Sequence, residues 1–271
     1  MRMIFLFLAG WLAAMAPALA GERHILLQST TSTQNSGLLD AILPAFEAAT
    51  GIEVRVVAVG TGQAIRNAER GDGDVLLVHA RAAEEAFVAA GWGVARHDVM
   101  FNDFVLVGPQ DDPAGIAGGA DAVAALAAIA AADAPFASRG DRSGTHLAEL
   151  ALWADTGVDV AAASGGWYRE TGSGMGATLN TGVGLDAYVL TDRATWAAFG
   201  NKGGHTILVE GDPRLHNPYG VILVNPARHP HVDAEAGQAF IDWLTGPEGQ
   251  AAIADFRVDG AQVFFPSAGP S

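Results

Sequence analysis

The regular alternation of short apolar segments with longer helical patterns constrains the fold of this chain more than any other feature. The apolar segments lie at residues 25–27, 52–59 and 75–78, and the helical patterns lie at residues 38–50, 63–70 and 81–90. A glycine follows each helical pattern, at Gly51, Gly71 and Gly91, where the left-handed end of a helix favours this residue. Strands that alternate with helices pair in parallel, so this part of the chain predicts an α/β fold.

The rest of the chain repeats this architecture and predicts a second lobe. Extended segments are predicted at residues 104–108, 136–137, 167–170, 205–210 and 221–224, and helices at residues 121–133, 146–155, 233–245 and 247–256. Residues 109–115 have the proline, aspartate and glycine content of a connection. We therefore predict hinge crossings near residues 105–112 and 212–222. Lobe 1 would comprise residues 21–108 and 219–271, and lobe 2 residues 109–218. Two lobes crossed twice form a clamshell that closes around a ligand.

The first twenty residues predict a cleavable signal peptide. Arg2 precedes an apolar stretch at residues 3–17, and small residues precede a cut ahead of Gly21. The sequence contains no cysteine, which excludes both a lipid-attachment cysteine and disulfides. We expect a soluble periplasmic protein without a lipid anchor.

The charge balance excludes two classes of partner. The formal net charge is −15, and losing Arg2 with the signal peptide gives −15 − 1 = −16. Such an acidic chain is unsuited to nucleic acid or to an anionic membrane surface. An anionic ligand remains compatible with it, because salt screens exposed charges within roughly 10 Å whereas donors in a dry cleft act at contact distance.

The segment at residues 138–145 has the outline of an anion pocket. It reads Ser-Arg-Gly-Asp-Arg-Ser-Gly-Thr and leads directly into a helical pattern. The first amides of a helix lack intrahelical partners and carry the positive end of its dipole. Arg139 adds a forked cationic donor, while Ser143, Gly144 and Thr145 add hydroxyls and a backbone that a ligand can approach closely.

A second hydroxyl-rich cluster begins where the apolar segment at residues 25–27 ends. Its members are Ser29, Thr30, Thr31 and Ser32, followed by Thr33 and then by a helical pattern. Open α/β sheets bind ligands beyond the carboxyl ends of their strands, so the two clusters predict one ligand held from two sides. Further donors are predicted at another strand-to-helix turn, at Thr61 and Gly62, and beside the glycine-rich segment 171–176, at Thr178.

Several of these segments resemble the solute-binding proteins of tungstate ABC transporters and, more widely, the type II periplasmic binding proteins that include phosphate and molybdate receptors. The matching segments lie at residues 29–33, 35–39, 74–79, 101–108, 138–145 and 174–180. The tungstate binders carry a Thr-Thr-Thr-Ser loop, which corresponds to Ser29, Thr30, Thr31 and Ser32. The resemblance places the family's essential arginine at Arg139 and its following donors at Ser143, Gly144 and Thr145. Ser29 replaces a threonine but keeps the hydroxyl.

The resemblance implies a type II periplasmic-binding-protein clamshell, with two α/β lobes and mixed sheets. It implies tungstate or a related oxyanion as the ligand, no cofactor and no cation site. The implied partner is an ABC-transporter permease at the membrane. We expect a monomer without enzymatic activity.

Several alternatives stay open on the sequence alone. The pattern Arg-x-Asp-x-Ser-Gly-Thr suits phosphate receptors equally well, so molybdate and phosphate remain alternative ligands. Asp141 would then accept the proton of hydrogen phosphate, or it orients Arg139 or caps the helix. An anion-sensing adaptor would use the same site. A serine hydrolase based on Ser143 lacks the Gly-x-Ser-x-Gly motif. His229 and His231 flank a proline without an obvious third ligand, which disfavours a metal site.

Overall fold

The computed structural model describes residues 23–269, which form an α/β fold around one branched, mixed sheet. The predicted α/β class is therefore confirmed, whereas the predicted signal peptide at residues 1–20 lies outside the described residues. Within residues 23–269 no helix combines the length and the apolar character needed to cross a bilayer.

Each predicted strand and helix overlaps an element of the structure. The elements up to the middle of the chain are β1 (Arg23–Thr30), α1 (Thr31–Asn35), α2 (Leu38–Thr50), β2 (Ile52–Val59), α3 (Thr61–Glu69), β3 (Val75–Val78), α4 (Arg81–Ala89), β4 (Gly93–Pro109) and α5 (Ala122–Ala131). They are followed by β5 (Phe136–Ser138), α6 (Gly144–Thr156), β6 (Tyr168–Glu170), α7 (Met175–Gly184), β7 (Val189–Asp192), α8 (Arg193–Ala198), β8 (His205–Val209), a 3-10 turn (Pro213–Leu215), β9 (His216–Val224), α9 (Ala234–Thr245), α10 (Pro247–Asp255), β10 (Arg257–Val258), β11 (Ala261–Gln262) and β12 (Phe265–Pro266).

The main sheet has the strand order β12-β4-β9-β3-β1-β2, and β7 and β8 pair with the far end of β4. Strand β1 runs parallel to β2 and β3, as the alternating pattern predicts. Strand β9 returns antiparallel between β3 and β4. Because parallel strands point the same way, the helix starts that follow β1 and β2 lie at one edge of the sheet.

Strand β4 is much longer than the apolar segment at residues 104–108. Its first part pairs with β9 as far as Asp103, and its second part pairs with β7 and β8 from Phe104 onwards. The first part contains Arg96, His97 and Asp98, of which His97 is exposed and Asp98 partly exposed. A strand with one solvated face lacks the continuous apolar signal of a fully buried one, so the sequence pattern shows only the second part.

The buried apolar side chains fall into three clusters. A large cluster combines β1, β2, β3 and β9 with α2 and α9, and contains Ile25, Phe46 and Phe240. Two smaller clusters come from residues 104–215, one around Phe136 and Trp153, the other around Met175, Leu179 and Trp196.

Successive side chains of β4 reach the two smaller clusters in turn. Phe104 and Leu106 belong to the first of them, and Val105 and Val107 belong to the second. This follows from the two-residue period of a strand, which sends neighbouring side chains to opposite faces. The second part of β4 is therefore covered by apolar side chains on both faces.

Candidate functional site

The hydroxyl-rich segment after β1 forms a tight turn into α1. Thr30 caps α1, since its Oγ1 accepts a 3.2 Å hydrogen bond from the Thr33 amide. Ser29 Oγ donates to the Leu77 carbonyl at 2.9 Å and so ties β1 to β3. These two hydroxyls hold the turn in place. Those of Thr31 and Ser32 remain for contacts with other segments, and both residues start α1, where backbone amides lack intrahelical partners.

The segment at residues 138–145 places the start of α6 opposite this turn. Ser143 is the cap of α6, and its Oγ accepts a 3.3 Å hydrogen bond from the His146 amide. The helix begins at Gly144, two residues earlier than the pattern predicts, so Gly144 and Thr145 lie in the first turn with the positive end of the dipole. Gly140, in the loop before α6, has a left-handed φ of +60°, and a Cβ there would stand 2.7 Å from Glu170 Cβ, so the path of this loop depends on glycine.

Arg139 joins the two segments. Its side chain is only 2% exposed. Nη1 lies 3.1 Å from Ser32 Oγ, and Nη2 lies 3.5 Å from Thr31 Oγ1. Nε donates to the Ser173 carbonyl at 3.4 Å. The guanidinium therefore contacts two sequence segments more than a hundred residues apart.

Asp141 orients the arginine and the helix start together. Its Oδ2 accepts a 2.6 Å hydrogen bond from Arg139 Nη2, and its Oδ1 accepts a 3.0 Å bond from the Ser143 amide. Both oxygens are thus engaged within the loop. This favours the interpretation in which Asp141 positions Arg139 over the one in which it receives a proton from the ligand.

A third helix start, that of α3, also reaches α6. Thr61 Oγ1 accepts a 2.9 Å hydrogen bond from the Gly144 amide. A Cβ on Gly144 would stand 3.2 Å from Thr61 Oγ1 and 3.0 Å from the His79 carbonyl oxygen, so any larger residue would be tight against both. Gly62 lies beside the same loop, since a Cβ there would be 3.6 Å from the Arg142 carbonyl oxygen.

Thr178 lies in α7, behind the loop that contacts Arg139. Its Oγ1 is 2.8 Å from Thr171 Oγ1 and donates to the Ser173 carbonyl at 3.4 Å. The start of α7 itself faces α1, since a Cβ on Gly174 would stand 3.4 Å from Thr31 Oγ1. Thr178 therefore supports the loop at residues 171–173, and its hydroxyl makes no hydrogen bond to Arg139 or to the turn after β1.

The structure thus gathers most of the predicted site residues around one point. Thr31, Ser32, Thr61, Arg139, Ser143, Gly144 and Thr145 lie around the junction of three helix starts. Ser29 and Thr30 fix the turn after β1, Gly62 borders the junction, and Thr178 supports it from behind.

Sequence reasoning missed His79, which directly follows β3. Its side chain lies against Gly144 and stacks on Tyr219 at a ring distance of 4.8 Å. Burial, with a smaller contribution from the nearby Arg139 charge, lowers the pKa of His79 to about 4. Its position at the carboxyl end of a strand in the middle of the sheet was the signal that would have identified it.

A buried carboxyl group lies behind the junction, in α6. Glu149 Oε1 accepts a 2.6 Å hydrogen bond from Tyr168 Oη, which also lies 2.9 Å from Ser138 Oγ. Burial raises the pKa of Glu149 to about 8. Glu149 and His79 are therefore both mainly uncharged at neutral pH, and the fixed charges at the junction are those of Arg139 and Asp141.

The arrangement offers donors and no activated nucleophile. Ser143 Oγ accepts a hydrogen bond from the His146 amide. His146 Nδ1 accepts from the Arg142 amide at 3.0 Å, so this nitrogen does not act as a base toward the Ser143 hydroxyl. His229 and His231 contact the backbone carbonyls of Glu69 and Gly71. In the part of the chain that the structure describes, no three His, Asp or Glu side chains gather as a metal site would require.

Comparison with known proteins identifies the family. A model described as the PBP superfamily domain matches residues 16–248. The tungstate-binding protein TupA of Peptoclostridium acidaminophilum is 44% identical, over 98% of this chain and 95% of that protein. The structure of the tungstate-binding protein TupA from Desulfovibrio alaskensis G20 is 45% identical with a TM-score of 0.77, covering 91% of this chain and all of that one.

A further solved structure, titled as the tungstate ABC transporter from Geobacter sulfurreducens, is 50% identical with a TM-score of 0.80. The match covers 87% of this chain and 99% of that one. These likenesses confirm the predicted periplasmic-binding-protein fold class. The chain belongs to the PBP superfamily and, within it, to the TupA family.

Proposed function

We propose that this protein is an extracytoplasmic receptor that binds a tetrahedral oxyanion, first of all tungstate, and delivers it to the permease of an ABC transporter. The observation that carries this proposal is the Arg139 guanidinium, buried between the turn after β1 and the start of α6. Two of the relatives are named tungstate-binding proteins, and a third is named as a tungstate ABC transporter. These names support both the proposed ligand and the proposed partner.

The donors around Arg139 suit a small anion with oxygens on all sides. A guanidinium fork, the hydroxyls of Thr31, Ser32 and Thr61, and the first amides of three helices can surround such a ligand. Tungstate and molybdate carry no proton near neutral pH and need only donors. Hydrogen phosphate also needs an acceptor, and both oxygens of Asp141 are already engaged. Asp141 is therefore poorly placed to recognise a protonated oxyanion.

The binding residues proposed are those predicted from the sequence, with a division of labour. Thr31, Ser32, Thr61, Arg139, Ser143 and Thr145 would contact the anion through side chains or amides. Ser29, Thr30, Gly62 and Thr178 would hold the turns that present them, and Gly144, whose amide donates to Thr61, would hold the start of α6 in place. We propose no cofactor and no catalytic step. The receptor would act as a monomer after removal of residues 1–20, without a lipid anchor.

We propose in addition that the chain forms two lobes that close on the ligand. The separation of the large core from the two cores of residues 104–215 supports this division. Pairing along β4 changes partners between Asp103 and Phe104, and β9 begins at His216, which puts the two crossings side by side in the sheet. A crossing at this point is slightly earlier than residues 105–112.

Thermal unfolding with added oxyanions tests the proposed function. A ligand that binds only the folded state raises stability by RT ln(1 + [L]/Kd), about 2.7 kcal/mol at a hundredfold excess over Kd. We expect tungstate to raise the midpoint strongly, with phosphate and sulfate leaving it nearly unchanged. The Arg139→Gln variant should show a clearly smaller tungstate shift at the same tungstate concentration. A midpoint that no oxyanion moves would contradict the proposal, and a shift by phosphate alone would reassign the ligand.

A further inference from the structure

Three buried polar atoms at or beside the start of α6 make no hydrogen bond within residues 23–269, namely His79 Nε2, Thr145 Oγ1 and His146 Nε2. The residue His79 is 4% exposed and Thr145 is fully buried. Buried polar atoms are normally satisfied, and an unsatisfied one costs roughly 1–3 kcal/mol. The first two of these atoms, on either side of Gly144, indicate a place where a further polar partner belongs.

The hydrogen-bond chain behind His79 determines which of its nitrogens carries the proton. Asp192 Oδ1 accepts hydrogen bonds from the Thr195 amide at 2.8 Å and from Asn102 Nδ2 at 3.4 Å. The Asn102 side chain therefore turns its nitrogen toward Asp192 and its oxygen toward Asn217. Asn217 Nδ2 in turn donates to Asn102 Oδ1 at 2.7 Å, which leaves Asn217 Oδ1 to accept from His79 Nδ1 at 3.0 Å. His79 Nδ1 is thus the protonated nitrogen, and Nε2 presents a bare lone pair.

The lone pair lies beside the proposed anion site. A Cβ on Gly144 would stand 3.3 Å from His79 Cε1, the ring carbon between the two nitrogens. Nε2 is the other nitrogen bonded to this carbon, and it is the one that Asn217 does not contact. The positive charge of Arg139 acts on the imidazole. A surface cavity of about 270 Å³ also borders His79 and Gly144, and gives solvent protons a route toward the ring.

We propose that His79 is a further ligand-contacting residue of the oxyanion site. When a fully deprotonated dianion binds, His79 takes up one solvent proton at Nε2, and the resulting Nε2–H donates a hydrogen bond to an oxygen of the anion. The inference rests on the proposed function, because it needs an oxyanion at this site. In balance, one dianion and one proton enter together, and neutral imidazole becomes imidazolium without loss of its bond to Asn217.

His79 is better suited to this role than the other titratable groups that face it or the site. His146 Nδ1 already accepts from the Arg142 amide, so a proton there would break that bond. Both carboxyl oxygens of Asp141 already accept hydrogen bonds, from Arg139 and from the Ser143 amide. Around the imidazole itself stand Arg139, Tyr219 and, through the asparagine chain, Asp192, while His216 and Arg81 line the neighbouring cavity.

The charges around His79 determine how anion binding and proton uptake affect each other. The pKa of His79 is lowered to about 4 by burial and by Arg139, so the ring is neutral before the anion arrives. A dianion in contact favours the charged ring and raises its pKa. Between the two pKa values binding takes up a proton, and affinity rises as the pH falls, by no more than about tenfold per pH unit for one proton.

Calorimetric titration at about pH 6 in two buffers of different ionisation enthalpy measures this proton directly. Micromolar tungstate is the probe. For the unmodified protein we expect uptake of a large fraction of one proton per bound anion. His79→Gln should bind tungstate with uptake near zero and with an affinity that depends little on pH. His146→Gln is the matched control and should retain the uptake.

Uptake that persists in His79→Gln, or tungstate binding by the unmodified protein with no uptake, would overturn the inference and leave the proposed function intact. Absence of any oxyanion binding would overturn both. A second measurement needs no variant. Nuclear magnetic resonance of the histidine ring signals should show one ring whose pKa rises by more than one pH unit when tungstate is added, and rings that all keep their pKa values would equally refute the assignment.

Discussion

The hydroxyl of Thr61 accepts a 2.9 Å hydrogen bond from the backbone amide of Gly144, 83 residues further along the chain. Thr61 is the first residue of α3 and Gly144 is the first residue of α6. The bond therefore joins two helix starts and uses an amide that would otherwise lack a partner. Thr61 still has its own hydroxyl hydrogen, which is free to be donated to an anion oxygen.

Removing this hydroxyl should weaken anion binding moderately. Thr61→Val keeps the shape of the side chain but removes the hydroxyl hydrogen that would be donated to the anion, which costs roughly 1 kcal/mol, or about a fivefold loss of tungstate affinity. Thr61→Ser keeps the hydroxyl and should bind nearly as well as the unmodified protein. Calorimetry on the two variants compares them, and equal affinities would show that the contact does not contribute to the bound state.

Arg139→Gln should produce the largest loss among single substitutions at the site. A hydrogen bond from a charged donor contributes about 1.5–3 kcal/mol and a neutral one about half as much, so the expected loss is between roughly tenfold and a hundredfold. Ser32→Ala should lose less. Arg139→Lys keeps the charge without the fork and should lie between them. The ranking fails if Ser32→Ala matches Arg139→Gln in a direct titration.

A methyl group at position 144 should be poorly tolerated. In Gly144→Ala the new Cβ would stand about as close as any real Cβ does to the His79 carbonyl oxygen, at 3.0 Å, and to Thr61 Oγ1, at 3.2 Å. Overpacking of this kind typically costs about 1–3 kcal/mol. Gly184→Ala is the matched control, since nothing lies within 4 Å of its Cβ position at the end of α7.

We expect Gly184→Ala to match or slightly exceed the unmodified protein in thermal midpoint, because alanine is the better helix former. Gly144→Ala should unfold several degrees lower, at about 2–4 °C per kcal/mol for a chain of this size. Tungstate should also bind it more weakly. Equal midpoints for the two variants would mean that the start of α6 can shift to make room.

Glu149 should make the protein less stable as the pH rises. Its pKa is raised to about 8 by burial, from an ordinary value of 4.5. A carboxyl whose pKa is higher in the folded state contributes stability that is fully present below the unfolded-state value and is lost as the pH passes through the folded-state value. The thermal midpoint should therefore fall between about pH 5 and pH 8.

Glu149→Gln should flatten this dependence, because an amide keeps an acceptor for Tyr168 and does not titrate. Glu248→Gln, which changes an exposed carboxyl, should leave the slope as it is. The measurement is the thermal midpoint of the three proteins at several pH values. A slope that survives in Glu149→Gln would assign it to another buried carboxyl, such as Asp192, whose pKa burial also raises.

Much of the fold could be predicted because its signals are local. The apolar runs of β1, β2 and β3 and the glycines after α2, α3 and α4 depend only on neighbouring residues. Helix α7 was not predictable in this way, since its sequence contains three glycines, which are poor helix formers. Gly182 is there for a tertiary reason, as a Cβ would come within 2.4 Å of Val189 Cγ2.

The residues of the candidate site also differ in whether neighbouring residues or distant ones determine their place. The hydroxyls after β1 and the arginine before α6 could be found because each follows a strand and precedes a helix. His79 could not be linked to Asn217 from the sequence, since 138 residues separate them and their contact exists only once β3 and β9 are paired. The double role of Asp141 likewise depends on a loop geometry that includes a left-handed Arg142 at φ +58°.

The unbroken course of β4 makes its length intolerant of change. An insertion of one residue ahead of Phe104 would turn every following side chain to the opposite side, so Phe104 and Leu106 would exchange places with Val105 and Val107. The Phe104 ring would then enter a space that valine fills, and a one-residue insertion would disturb both of the smaller apolar clusters. Loops elsewhere in the chain accept extra residues more readily than this part of β4, because both of its faces pack against apolar side chains.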